Sequence, residues 1–472
     1  MVPERLSPVL EVTRPLAERF AASGRTVYLV GGTVRDGIAG RPGSVEGNGA
    51  VGSSEPDIDI TTDARPDEIE SLVAGLASSI WTQGKRFGTI GILLGGRRVE
   101  ITTHRAEAYD PGSRKPEVQF GDDVETDLSR RDFTVNAMAL RLPDLVLIDP
   151  FDGIGDLAAS RLRTPLDPEV SFSDDPLRML RAARFVSGYA LEPDPRITSA
   201  VTSMRDRLSI VSPERVREEL DKLIVLPEPG AGLWFLVRTG LAGVFLPELP
   251  ALALEQDPIH RHKDVLAHTI AVVEKTSADK VLRLAALFHD VGKPRTRSVG
   301  PSGVHFHHHD VVGARMTRER MKALRYPSAE IDDVGRLVEL HLRFHTYKMG
   351  WTDSALRRYA RDAGALVGKL NELTRCDCTT RNAAKAEALG RRIDELEERL
   401  AELREKEALD SLRPEVDGVE VMAHLGLPPG REVGEALEFL LQVRLDEGLL
   451  GRDEVLSRLD QWWQDRVAGQ SC

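Results

Sequence analysis

Strand-forming runs in this chain stop early, and that break dictates the architecture. VYLVGG (27–32), EPDIDITT (55–62), FGTIGILLGG (87–96) and RRVEITT (97–103) read as strands, the last two as a hairpin. A helix is expected between them over 66–78, and TVRDGIAG (33–40) reads as the start of another. Beyond residue 170 the pattern is helical throughout. The expected fold class is an α/β head with a mixed sheet, followed by an all-α neck, body and tail. A chain of 472 residues is too long for one core and predicts about three domains.

Composition narrows the function classes. No apolar run approaches the roughly 20 residues a membrane span requires, and the N-terminus lacks a signal-peptide core, so no membrane role is expected. Three cysteines, Cys376, Cys378 and Cys472, cannot build a disulfide framework, which suits a reducing cytoplasm. Cys376 and Cys378 alone fall short of a zinc site. The net charge of −12 argues against nonspecific coating of nucleic acid, without excluding a local basic groove.

Asp57 and Asp59 sit two apart in a strand-like run, so they share a face about 7 Å apart. Carboxylates that close repel unless a cation lies between them; a solvated strand end is the competing reading. Glu100, on the second hairpin strand, offers a third carboxylate or a surface glutamate. The strand–Gly31–Gly32–helix turn exposes backbone N–H groups, an anion site or simply a tight turn. The stretch 41–55 is rich in Gly and Ser and reads as a surface insert.

GGTVRD, DID, FGTI, VEITTHR, DLSRRDFTVNAMAL, DPFDGIGDL, DDPLRMLRAARF and SPERVREEL occur in that order. Together they resemble the class II tRNA nucleotidyltransferases, the CCA-adding enzymes, whose near relatives are bacterial poly(A) polymerases. The resemblance implies that Asp57 and Asp59 hold two Mg²⁺ ions, with Glu100 beside them, for attack of an RNA 3′-hydroxyl on an α-phosphate. It implies that Gly31 and Gly32 take the triphosphate, and that Arg35 and Asp36 match the same motif, an internal ion pair being an equal reading. In SRRDFTVNA, Asp132 would accept from a ribose hydroxyl, while Arg130, Arg131 and Asn136 would donate.

In DDPLRMLRAARF the resemblance makes Asp175 and Arg178 a protein template for the incoming base, with Arg181 grouped among the nucleotide-binding residues. Cytosine and adenine each set an amino donor beside a ring-nitrogen acceptor, matching a carboxylate and a guanidinium; uracil and guanine reverse that pattern. The alternative is an ordinary i,i+3 salt bridge. Asp174 stands where the family usually has glutamate. QGKRFGTIGI resembles the CCA-adding rather than the poly(A) branch, and EAYDPGSRKPEVQF (107–120) matches the family's flexible loop at full length, so complete CCA addition is expected.

HKDVLAHTIAVVEK, VLRLAALFHDVGK, HFHHHDVVGARM and LVELHLRFH resemble the HD phosphohydrolase superfamily. That pattern suggests His268, His289, Asp290, His309 and His341 as metal ligands, with Asp377 a distant closing carboxylate. Imidazole favours Ni²⁺, Co²⁺ or Mn²⁺ over Mg²⁺; a helical scaffold without activity is the alternative. Leu389, Ile393, Leu396, Leu400 and Leu403 form an apolar helix stripe, too short a repeat for a dimerising coiled coil. The division expected is a head over 1–170, a helical neck over 171–255, an HD domain over 256–385 and a tRNA-contacting tail over 386–472. The expected partners are tRNA, CTP and ATP, with no obligate protein partner. Poly(A) synthesis, HD hydrolysis with an inactive head, and noncatalytic tRNA binding stay open.

Overall fold

The computed structural model describes residues 4–40, 57–105, 120–121, 123–254, 264–300, 303–345, 351–378, 383–407 and 412–469. The 41–55 insert and nearly all of the 107–120 loop lie outside them. By internal contacts the chain divides into two compact units, 1–250 with 323–326, and 251–322 with 327–472.

The first unit is built on a seven-stranded mixed sheet in the order β3-β4-β5-β2-β1-β6-β7. Its strands are β1 (Val27–Val30), β2 (Ile58–Thr62), β3 (Ser79–Trp81), β4 (Thr89–Leu94), β5 (Arg97–Thr103), β6 (Ala139–Leu142) and β7 (Leu147–Ile148). All neighbours pair antiparallel except β2 and β5, which run parallel. Alternation is strict where it matters: Ile58, Ile60, Ile90, Ile92, Val99 and Ile101 are buried in one core, with Leu16, Phe20, Ile69 and Val73 from helices α1 (Ser7–Ala22) and α3 (Pro66–Val73). Their strand neighbours Asp59, Gly91 and Glu100 consequently point to the opposite, half-open face.

Helix α3 ends at Val73, five residues short of the expected 78. Gly75, at φ +75°, turns the chain while the Leu76 and Ala77 N–H groups bond back to the Val73 carbonyl. Helix α2 (Gly32–Ala39) follows β1, α4 (Val124–Ser129) is capped by the Asp123 carboxylate, and α5 (Gly153–Ala158) comes after β7. From α6 (Pro168–Asp174) and α7 (Leu177–Gly188) to residue 250 the unit is almost entirely helical.

Among its described residues the second unit is helical apart from one hairpin, Arg297–Gly300 with Gly303–Phe306. Ile393, Leu396, Leu400 and Leu403 are buried on the 25-residue helix Ala383–Glu407, which packs against the helices Asp353–Ala363 and Val367–Asp377. The stripe is thus satisfied within the chain. Among the described residues no helix is long and apolar enough to cross a membrane.

Candidate active site and metal centre

Parallel pairing in register sets Asp59 directly beside Glu100 on the half-open face of the sheet. Asp57 lies one residue ahead of β2, its Oδ1 4.0 Å from Arg98 Nε. A cleft of about 450 Å³ opens over this face, lined by Asp59 and Glu100, by Arg130, Arg131 and Asp127, and by Asp175 and Arg178. Asp57 is not among the lining residues.

The turn after β1 closes in on the carboxylates. Gly31 adopts φ +64°, and a Cβ there would sit 3.2 Å from Arg131 Nη1 and 3.4 Å from Asp59 Oδ2. A bare backbone is needed on both counts. Arg131 in turn pairs with Asp127 at 3.3 Å.

Asp132 is buried and its oxygens are already engaged. It accepts from the Phe133 N–H at 2.8 Å, Asn136 Nδ2 at 3.0 Å and Arg181 Nε at 2.7 Å. Burial pushes its pKa up, but the Arg181 charge and these hydrogen bonds outweigh that and hold the carboxyl far below its ordinary range. Asn136 Nδ2 and Arg181 Nε, on two residues expected as nucleotide donors, both donate to this carboxylate.

Arg35 is likewise engaged within the protein. Its guanidinium is wholly buried, bonded to Asp36 at 2.8 Å and to Asn136 Oδ1 at 2.5 Å, and lies 4.2 Å from the centre of the Tyr189 ring. Tyr189 also donates to Asp36 at 2.9 Å. Of the two readings open for Arg35 and Asp36, the internal ion pair is present.

Asp175 and Arg178 behave otherwise. Asp175 leaves α6 in extended conformation, and its carboxylate accepts from the Leu177 N–H at 3.1 Å and from Arg215 at 3.1 Å. Arg178 donates to Ser171 Oγ at 2.8 Å and to the Arg130 carbonyl. Among the described residues no ion pair joins the two, so the i,i+3 salt bridge does not form. Each is held by other groups while lining the same cleft. Thr89, Thr102, Arg105 and Asp127 also line it, and sequence reasoning assigned them nothing. All four stand inside the quoted motifs FGTI, VEITTHR and DLSRRDFTVNAMAL; that was the available signal. Arg105 donates to Thr89 Oγ1 at 3.1 Å, and its N–H to Asp127 at 3.3 Å.

The second unit gathers all six expected HD residues. His268 lies on helix Val265–Lys275, His289 and Asp290 close helix Lys280–Phe288, His309 opens His309–Ala323, His341 ends Ser328–Leu340, and Asp377 ends Val367–Asp377. Two groups result, His268–His289–Asp377 and Asp290–His309–His341, the donor atoms within each lying inside 4.8 Å of one another. His268 Nε2 stands 2.8 Å from Asp377 Oδ1, and His289 Nε2 3.2 Å from Asp290 Oδ2.

The rings are pre-aimed. Nδ1 of His289, His309 and His341 faces the carbonyls of Ala286, Phe306 and Val338 at 2.8, 2.7 and 2.6 Å, which turns each Nε2 inward. Nε2 of His309 and of His341 is buried with no hydrogen-bond partner. Orphaned inward nitrogens beside two carboxylates fit a divalent ion. Burial opposes a proton on His289, yet Asp290 and Asp377 raise its pKa well above the ordinary value; burial and that neighbouring charge push His341 down to about 4. His307 and His308 are exposed, outside both groups, and His345 Nε2 stands 4.0 Å from Asp377.

Comparison with known proteins agrees with this anatomy. Residues 27–163 match the poly A polymerase head domain, 190–252 a probable RNA and SrmB-binding site of polymerase A, and 265–409 the HD domain; divalent metal use goes with both the head and the HD domain. The chain is 36% identical over 361 residues to an A-adding tRNA nucleotidyltransferase of Deinococcus radiodurans, covering 73% of this chain and 81% of that protein. It is 30% identical over 466 residues to a CC-adding tRNA nucleotidyltransferase of Thermus thermophilus, covering 95% and 96%. A CCA-adding enzyme of Levilactobacillus brevis is 37% identical over 239 residues, half of this chain and 56% of that one. The fold is shared with the Bacillus stearothermophilus CCA-adding enzyme in complex with CTP, at a TM-score of 0.71 and 23% identity over 98% of this chain and all of that one. By its head, its HD domain and its near-full-length likeness to these enzymes, the chain belongs to the tRNA nucleotidyltransferase family.

Proposed function

We propose that this protein adds CMP, CMP and AMP to the 3′ end of tRNA, using CTP and ATP and releasing pyrophosphate, in the cytoplasm. The observation that carries the reading is the disposition of Asp175 and Arg178. They line one cleft with Asp59 and Glu100, are fixed by other groups, and leave each other unpaired. A carboxylate acceptor beside a guanidinium donor suits the base edges of C and A and repels those of U and G.

Asp57 and Asp59 would hold Mg²⁺ with Glu100 alongside. Oxygen ligands suit this hard ion, which when bound favours the attacking alkoxide and neutralises the departing pyrophosphate. The Gly31 and Gly32 backbone, with Arg130 and Arg131, receives the triphosphate. Asp132 takes a supporting part: its fixed negative charge holds Arg181 and Asn136 behind the cleft. Residues 1–170 form the catalytic head, 171–255 the neck carrying the template pair, and 256–385 the HD domain.

The test is incubation with tRNA lacking its 3′ end and each labelled nucleotide in turn, followed by product sequencing. A CCA product supports the reading. Arrest after CC, or addition of A only to tRNA already ending in CC, would instead match the division of labour named for the Thermus and Deinococcus relatives. Extension of an unrelated RNA with ATP alone would mean poly(A) synthesis.

A second activity is favoured by the orphaned Nε2 atoms of His309 and His341. His268, His289, Asp290, His309, His341 and Asp377 would hold Ni²⁺, Co²⁺ or Mn²⁺, which when bound supplies a water acidic enough to attack a phosphoester. A damaged tRNA 3′ end carrying a 2′,3′-cyclic phosphate is the proposed substrate.

A further inference from the structure

One row of the head's sheet runs from the acidic pair to an exposed indole. Asp59 pairs with Glu100, Glu100 with Gly91, and Gly91 with Trp81 on the edge strand β3. Residues paired across a sheet share a face, so Trp81 stands on the face of the two carboxylates. It lies two strand spacings from Glu100, roughly 10 Å.

Gly91 leaves the intervening place without a side chain, and Trp81 leans over it: a Cβ there would sit 3.4 Å from Trp81 Cε3. Arg98 joins the same arrangement, its Cζ 5.6 Å from the indole centre and its Nε 4.0 Å from Asp57. The indole nevertheless stays 36% exposed. A large aromatic held in place on the sheet face of the two carboxylates, yet not buried, is the form of a stacking platform for a nucleic-acid base.

The sheet order says which base. Gly31 and Arg131, which close in on Asp59, follow β1 and precede β6, and Asp175 and Arg178 belong to the helices beyond. Those groups serve the incoming nucleotide. Trp81 lies on the other side of Glu100, at the β3 edge, away from those groups. Resting on the tRNA reading above, we propose that Trp81 stacks on an unpaired base of the acceptor 3′ strand, one step back from the reacting terminus.

The test uses tRNA lacking only its final A, made with either the normal penultimate C or an abasic residue there. Stacking contributes about 1–3 kcal/mol per base, so Trp81→Ala should raise Kd and KM for this tRNA roughly 5- to 150-fold. KM for ATP should stay unchanged, and Trp81→Phe should restore most of the affinity. The abasic tRNA should bind the native protein as weakly as normal tRNA binds Trp81→Ala, with no further loss when the two changes are combined. Undiminished tRNA binding by Trp81→Ala overturns the proposal, as does an abasic penalty equally large in both proteins. A native protein that neither binds nor extends any tRNA would overturn the tRNA reading itself, a result separable from these.

Discussion

Two glycines flanking β1 separate backbone strain from active-site geometry. Gly24 and Gly31 both hold left-handed φ, +73° and +64°. Alanine at either position should lose about 1–2 kcal/mol to that conformation. At Gly24 a Cβ meets nothing within 4 Å, whereas at Gly31 it presses on Arg131 Nη1 at 3.2 Å and touches Asp59 Oδ2 at 3.4 Å. Arg131 is the end of a flexible side chain, so yielding a few tenths of an ångström adds little to the stability loss. For a unit of about 250 residues, both variants should therefore melt lower by roughly 2–8 °C. Their activities should diverge. Displacing the arginine of a preorganised site by tenths of an ångström should cost up to roughly tenfold in rate. Single-turnover incorporation of labelled CMP into tRNA lacking its 3′ end, with melting curves on the same samples, makes the comparison. If Gly31→Ala transfers CMP as fast as Gly24→Ala, the turn does not shape the catalytic cleft.

Asp57→Ala and Asp59→Ala should each reduce both CMP and AMP transfer roughly a thousandfold or more while tRNA binding persists; turnover near that of the native protein would remove them from the metal site. Arg178→Ala should lower the CTP-over-UTP preference by roughly 5- to 150-fold, the loss of a base-reading partner costing about 1–3 kcal/mol; an unchanged ratio in nucleotide competition counts against the template pair. The double variant His289→Ala/Asp290→Ala should abolish Ni²⁺-, Co²⁺- or Mn²⁺-dependent hydrolysis of a 2′,3′-cyclic phosphate or a p-nitrophenyl ester and leave CCA addition close to normal. A native protein that holds no metal and hydrolyses neither ester with any of these ions would reduce the cluster to scaffold.

Much of this was legible in the chain because it is written in short periods. Ile58 and Ile60 bracket Asp59, so strand alternation alone predicts which side the carboxylate takes. The HD cluster was equally readable, since His268, His289 with Asp290, His309 and His341 fall in four short motifs. The surroundings of Arg35 and Asn136 were not legible because their partners are remote: Arg35 meets Asn136 across 101 residues and lies beside Tyr189, over 150 residues away. Local spacing carries no trace of such contacts. Trp81 escaped notice for a related reason. On an exposed edge strand it shows no pattern, and only the register through Gly91 and Glu100 aligns it with Asp59.

The tail invites a revision on electrostatic grounds. Residues 386–472 carry 21 acidic against 11 basic side chains, whereas 256–385 carry 23 basic against 15 acidic. Of the four segments only 256–385 is net positive. Several tail arginines are also engaged locally: Arg431 and Arg466 with Glu435, Arg452 with Glu420, Arg458 with Glu447 and Glu454, and Arg444 with Glu407. Each such pair contributes little to stability, but it leaves its cation less available to a phosphate. Affinity for an RNA backbone comes from cations that displace counterions, and a surplus of carboxylates repels that backbone within a Debye length of about 8–10 Å. Shape recognition by the tail survives this argument; phosphate neutralisation by it does not. The charge suited to an RNA backbone resides in the segment that also carries the histidine cluster, which is where a hydrolytic centre acting on RNA ends would need it.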